Sequence, residues 1–172
     1  MEFITRVPRT SKQHDAIMVV VNKLSKVAHF VVIKFINSAS DMAHIFIKEV
    51  MRLHGVPKKL ISNRYAKFTS KFWKEFFIGL GIEIAFSTTY HPHIDGKIEK
   101  TNRILEDMLK MYVMHQPRKW EEYLPLSEFS YNNGYQESLK MIPFEAFYGI
   151  YNVIFSWNDP MNKVLIGVYM LK

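Results

Sequence analysis

The sequence predicts an α/β domain built on a mixed sheet with helices on its faces. Three observations lead there. Three β-rich segments follow one another at the start of the chain, joined by polar connections, as in a meander. Segments of helical spacing then alternate with short strands. The resulting order, β-β-β-α-β-α-β-α-α, is that of a mixed sheet flanked by helices, with right-handed crossovers expected in its parallel part. The chain has 172 residues, 48% of them apolar and 15% aromatic, enough for one domain with a sizeable core and too apolar for a disordered chain.

In order, Phe3–Val7 is a short strand ended by Pro8. Ala16–Asn22 (AIMVVVN) is continuous and β-branched, the pattern of a strand buried on both faces. His29–Phe35 (HFVVIKF) is the third strand. Ser40 or Asp41 is positioned to cap a helix running through Leu53, with Ile45, Phe46, Val50 and Leu53 on one side and Gly55 and Pro57 as its stop. Lys59–Ser62 is a strand. Thr69 or Ser70 caps a helix carrying Phe72, Trp73, Phe76 and Phe77, which Gly79-Leu80-Gly81 ends, and Ile82–Phe86 is a strand. The turn-rich stretch YHPHIDG leads into a long helix from Gly96 to Met114, followed by helices over Trp120–Tyr131 and Pro143–Tyr148. Periodicity is lost after Gly149, so residues 1–149 read as the domain and 150–172 as a tail or linker.

Lys and Arg number 23 against 16 Asp and Glu, a net charge of +7, which favours acidic partners such as nucleic acid. The absence of cysteine excludes disulfides, thiolate nucleophiles and cysteine-containing zinc sites. The first twenty residues lack the order of a signal peptide. The longest clean apolar run, Ala16 to Val21, is far short of the ~20 residues that cross a bilayer, so no membrane association is expected. No nucleophile elbow, P-loop or dinucleotide fingerprint occurs.

Strand ends and the loops after them are where α/β sheets build sites. Two stand out: Ile61-Ser62-Asn63-Arg64, and His91-Pro92-His93-Ile94-Asp95-Gly96-Lys97-Ile98-Glu99 leading into the long helix. At about 100° per residue, Ile98, Leu105, Met108, Leu109 and Tyr112 share one side of that helix, and Glu99, Arg103, Glu106 and Lys110 the other. Glu99 therefore points away from the apolar stripe, either toward a site beside the sheet or into a solvated face with Glu99–Arg103 and Glu106–Lys110 pairs. Lys97, Lys100, Arg103 and Lys110 are the cations best arranged for DNA phosphates, the alternative being an ordinary solvated helix. The aromatic rows at Phe72–Phe77 and at Trp120, Tyr123, Leu124, Phe129 and Tyr131 read as packing, the second with a homodimer face as a further use.

The segments MEFITRVP, IMVVVNKLSKVAHF, RLHGVPKKLISNRYAKFTSKFWKEFF, LGIEIAFSTTYHPHIDGKIEKTNRILEDML and LPLSEFSYNN…PFEAFYG together resemble the integrase catalytic core of Ty3/gypsy-type LTR retrotransposons, in order from residue 1 to about 149. The resemblance implies a ribonuclease H-like fold, a five-stranded mixed sheet flanked by helices. It implies polynucleotidyl transfer in DNA integration, DNA as partner, a possible homodimer, a nuclear location, and Mg²⁺ or Mn²⁺ held by three carboxylates.

Carried onto this chain, the catalytic and metal-binding positions fall at Glu2, Asn63 and Glu99, with 35 residues (64–98) between the last two. Only Glu99 keeps the family's residue. Glu2 and Asn63 both stand where the family has aspartate, and Tyr65 replaces a glycine. Asn22 also stands at a usual aspartate position outside the triad. Asn63 brings one neutral carbonyl oxygen and no charge, whereas a two-ion site depends on summed ligand charge. Glu2 sets its carboxylate one methylene outward. Asp15 and Asp95 are poorly placed to substitute. The expectation is an integrase-like, DNA-binding core with a degenerate site and with the first strand truncated at its N-terminus; an active metal-dependent integrase and a non-catalytic dimerisation or interaction module are the alternatives.

Overall fold

The computed structural model describes residues 1–5, 7–63, 66–86 and 92–149, without the side chains of residues 66–67, 92–99 and 112. The expected tail, residues 150–172, lies outside the described residues.

Strand β2 (Ala16–Val21) lies between β1 (Glu2–Thr5) and β3 (Ala28–Ile33) and pairs antiparallel with both, with Glu2 opposite Val19 and Ala16 opposite Ile33. Its side chains alternate between two cores. Ala16 and Met18 join Phe3 and Ile33 on one face. There they meet Met42 and Phe46 of helix α1 (Ala39–Phe46) and Trp73 and Phe77 of helix α4 (Lys71–Gly79). Ile17 and Val19 join Ile4, Ala28 and Phe30 on the other face. That face packs on Leu105 and Leu109 of helix α5 (Pro92–Val113) and on Trp120, Leu124 and Tyr131 of helix α6 (Trp120–Asn132). The uninterrupted apolar run of β2 is thus explained by burial on both sides.

The remaining strands, β4 (Lys59–Ser62) and β5 (Glu83–Phe86), pair parallel with Lys59 opposite Glu83 and Ser62 opposite Phe86. Helix α3 (Ala66–Thr69) and α4 fill their crossover. The described strands form a three-stranded and a two-stranded sheet, not one sheet of five. β1 and β4 have four residues each, and the described main-chain link between them is the Met1 nitrogen donating to the Ile61 carbonyl at 2.7 Å.

Local chemistry sets the helix ends. Ser38, not Ser40 or Asp41, caps α1: its hydroxyl accepts from Asp41 N (3.1 Å) while the Asp41 carboxylate accepts from Ser38 N (2.9 Å). Helix α1 continues through a π-helical turn (Ile47–Met51) into α2 (Arg52–His54), where Gly55 ends it at φ +74°. Ser70 caps α4 as expected. Helix α5 begins at Pro92, so the region read as a turn before Gly96 is already helical. Helix α7 (Pro143–Tyr148) closes the described chain. Among the described residues no helix is long and apolar enough to cross a membrane.

Two side-chain devices fix α6 to the sheet. The buried Asn132 amide donates to Ala28 O and its carbonyl accepts from Ala28 N, both at 2.8 Å, while Glu128 accepts from Phe30 N at 2.8 Å. These groups would otherwise be the open hydrogen-bonding edge of β3. At the other end of α6, the buried Glu121 carboxylate accepts from Thr10 Oγ1 (3.0 Å) and His14 Nδ1 (2.6 Å) and pairs with Lys12 (3.4 Å). Burial alone pushes the Glu121 carboxyl up, but bonds from His14, Thr10 and Lys12 and the Lys12 charge outweigh it and hold the group below its ordinary value.

Asn132→Ala leaves Ala28 N–H and C=O without partners, and a stability loss of roughly 2–4 kcal/mol in urea denaturation is expected. A carboxylate with a lowered folded pKa stabilises above its ordinary value of 4.5 and loses that contribution as pH falls through the folded value. The urea midpoint of the wild type should therefore drop more steeply than that of Glu121→Gln between about pH 5 and pH 3.

Candidate functional site

The site lies where β1, the end of β4 and α5 meet. Glu2 is the first residue of β1, Asn63 follows the last residue of β4, and Asn102 lies on α5. Asn63 Nδ2 donates to Glu2 Oε1 at 3.1 Å, and Asn102 Nδ2 donates to Glu2 Oε2 at 2.5 Å. Both carboxylate oxygens are thus held by neutral amide donors. All three side chains are half-buried. The amide oxygens of Asn63 and Asn102 are buried and have no hydrogen-bond partner among the described residues. That costs free energy unless a further donor or cation meets them. The amides cannot reverse to correct it, because an amide oxygen against a carboxylate oxygen is repulsive.

Aromatic packing lies beside the site. Phe3 stacks on Phe68 of α3 with centroids 4.3 Å apart, and Phe68 meets Trp73 edge-on. The buried Thr101 hydroxyl lies 3.0 Å from Tyr131 OH, tying α5 to α6 beside Asn102. Burial raises the Tyr131 phenol pKa, so this contact stays neutral through the physiological range.

Of the residues singled out from the sequence, Glu2 and Asn63 are in direct contact although 61 positions separate them. Glu99 sits on α5 one turn before Asn102; its side chain and that of Lys97 lie outside the described residues. Lys100, Arg103 and Lys110 are exposed on the same helix. Lys110 pairs with Asp107 at 3.4 Å rather than with Glu106. Asp15 does not reach the site: its carboxylate accepts from Phe35 N (2.6 Å) and pairs with Arg9 (3.3 Å) at the far end of the β1–β2 pair. Asn22 accepts from Leu24 N and Ser25 N in the β2–β3 turn, a task any Asx side chain performs. His91 lies outside the described residues, as do the side chains of His93 and Asp95.

Asn102 is the participant the sequence reading missed. Its signal was spacing: three residues after Glu99 it occupies the same helix face. Of the aromatic rows, Trp73, Phe77, Trp120, Leu124 and Tyr131 are core, whereas Phe72 and Phe129 are exposed.

The described side chains do not fit the pair of divalent ions that the resemblance implies. Among the described side chains Glu2 is the one carboxylate there, and both its oxygens face amide nitrogens, which are donors and cannot ligate a cation. Among the described residues no group of three or more histidine, cysteine, aspartate or glutamate side chains is arranged to hold a metal ion between them.

No protein-family model matches the chain. It is 34% identical over 145 residues to the transposon Tf2-3 polyprotein of Schizosaccharomyces pombe, and equally to the Tf2-4 polyprotein, covering 84% of this chain and 11% of each polyprotein. Among solved structures it superposes on a chain of the simian T-cell lymphotropic virus intasome in complex with the PP2A regulatory subunit B56 gamma (TM-score 0.70, 15% identity, 86% of this chain and 53% of that one). It also superposes on the HTLV-2 integrase catalytic core domain in complex with magnesium, in its trimeric form (0.64, 16%, 86% and 95%) and its dimeric form (0.58, 16%, 76% and 83%). The chain is thus homologous to a segment of Ty3/gypsy-type retrotransposon polyproteins, and its fold is that of the retroviral integrase catalytic core.

Proposed function

We propose that this chain is an integrase-type core domain that binds DNA without catalysing strand transfer. The observation that carries the reading is the Asn63–Glu2 hydrogen bond. Two carboxylates side by side repel and are relieved by cations between them; with an amide donating to the carboxylate that repulsion is absent, and the demand for a cation is smaller. Magnesium accompanies the HTLV-2 core. In this chain its binding would be weakened, since Asn63 supplies no charge and Glu2 is engaged by two donors. The site then serves as a hydrogen-bonded clasp joining β1, β4 and α5.

DNA binding is supported by the net charge of +7 and by Lys100 and Arg103, one turn apart on the exposed face of α5. Lys97 and Lys110 extend that series, Lys110 with its charge partly offset by Asp107. Self-association belongs to the same proposal, since the HTLV-2 core occurs as a trimer and as a dimer. The nucleus is the compartment in which such a domain meets DNA.

In a strand-transfer assay on an end-like DNA duplex with Mg²⁺ or Mn²⁺, the wild type should give no product, and Glu2→Asp with Asn63→Asp is the variant expected to regain some. Turnover by the wild type would end the claim of lost catalysis. Duplex DNA should bind with an affinity that falls as salt rises, and Lys100→Ala should reduce the log–log slope by about one while weakening all sequences alike. Affinity indifferent to salt would favour an interaction module instead.

A further inference from the structure

A second cluster of chemically active side chains lies away from Glu2 and Asn63, and the reading above does not use it. His29 of β3 and His54 at the end of α2 face each other with Nε2 atoms 2.6 Å apart. Their ring centroids are 4.6 Å apart and the planes are tilted by 43°. His29 Nδ1 lies 3.1 Å from Glu128 Oε1, and the other oxygen of that carboxylate is fixed by Phe30 N–H.

The carboxylate can only accept, so His29 carries its proton on Nδ1 and presents the Nε2 lone pair to His54. A carboxylate behind an imidazole, fixing its tautomer and orientation, is how proteins prepare a histidine to ligate a metal. His54 Nε2 must then supply the proton of the contact. Its Nδ1 is buried and has no hydrogen-bond partner among the described residues. Burial, reinforced by His29 and opposed by Glu128, holds His54 below the ordinary histidine value, so its ring is neutral at physiological pH.

We propose that His29 and His54 form a site for a borderline divalent transition-metal ion, with Zn²⁺ as the test case, in which the two Nε2 atoms are the ligands and Glu128 is the positioning residue for His29. Tetrahedral coordination at about 2.0–2.1 Å needs the nitrogens roughly 3.3 Å apart, so the rings must part by less than about 1 Å. On binding, the His54 Nε2 proton moves to Nδ1, the ring stays neutral, and both Nε2 lone pairs face the ion. The side chains of His29 and Glu128 are 16% and 28% exposed, so water can reach the ion and fill the remaining positions. With two protein ligands the site is exchangeable. Its preference should follow nitrogen affinity, with Cu²⁺ above Zn²⁺, and Mg²⁺, which requires hard oxygen ligands, should not compete.

Calorimetric titration of the metal-free full chain with Zn²⁺ tests this. One ion per chain is expected, undisturbed by millimolar Mg²⁺, which separates this site from the one at Glu2. His29→Gln and His54→Gln should each weaken binding at least tenfold and Glu128→Gln about tenfold, while His44→Gln, on the exposed side of α1, has no effect. Should a variant fail to fold, imidazole ¹⁵N shifts in the intact chain give the second readout: Zn²⁺ must move the Nε2 resonances of both His29 and His54. Absence of saturable binding, affinity unchanged in His54→Gln, or a pair that exchanges protons and ignores Zn²⁺ would overturn the proposal.

Discussion

The fold depends on burying both faces of β2. A strand buried on both faces, with three side chains toward α1 and α4 and three toward α5 and α6, cannot slip by one residue without exchanging its two cores. Met18 and Ile17, neighbours in sequence, belong to different cores and are both fully buried. That register sets Glu2 opposite Val19, and so fixes where the first residue of β1 stands relative to β4 and α5. The chemistry of the site is a by-product of the packing of the strand beside it.

The same constraint explains what could be read in advance. Elements defined by apolar periodicity, β2, α4, β4 and α6, were legible because packing enforces the pattern. The pairing of Glu2 with Asn63 was legible only through the family resemblance; composition and spacing do not bring positions 61 residues apart together. Polar groups whose role is set by a distant backbone left no local signature: Asn132 reads as a helix-end residue, and its bidentate hold on Ala28 depends on the tertiary fold alone. The cap of α1 moved from Ser40 or Asp41 to Ser38 because a Ser and an Asp three apart satisfy each other, a pair the periodicity did not weigh. The sheet divides because β1 and β4 are short and joined by a single described bond.

At the site, replacement of charge by an amide changes what the neighbourhood rewards. A cluster of carboxylates is held apart by repulsion until cations arrive, so it stores a demand for metal. Glu2 instead meets an amide donor at each of its oxygens, and the amide oxygens of Asn63 and Asn102 have no hydrogen-bond partner among the described residues.

The clasp of Asn132 and Glu128 on β3 carries an architectural consequence. With Ala28 and Phe30 already bonded to side chains of α6, the main-chain groups Ala28 N, Ala28 O and Phe30 N of that border are not free to pair with an added strand. A strand added there would first have to displace Asn132 and Glu128 from those groups. A domain that shares its fold with proteins known in several multimeric forms thus has one of its routes to fibrous aggregation sealed from within.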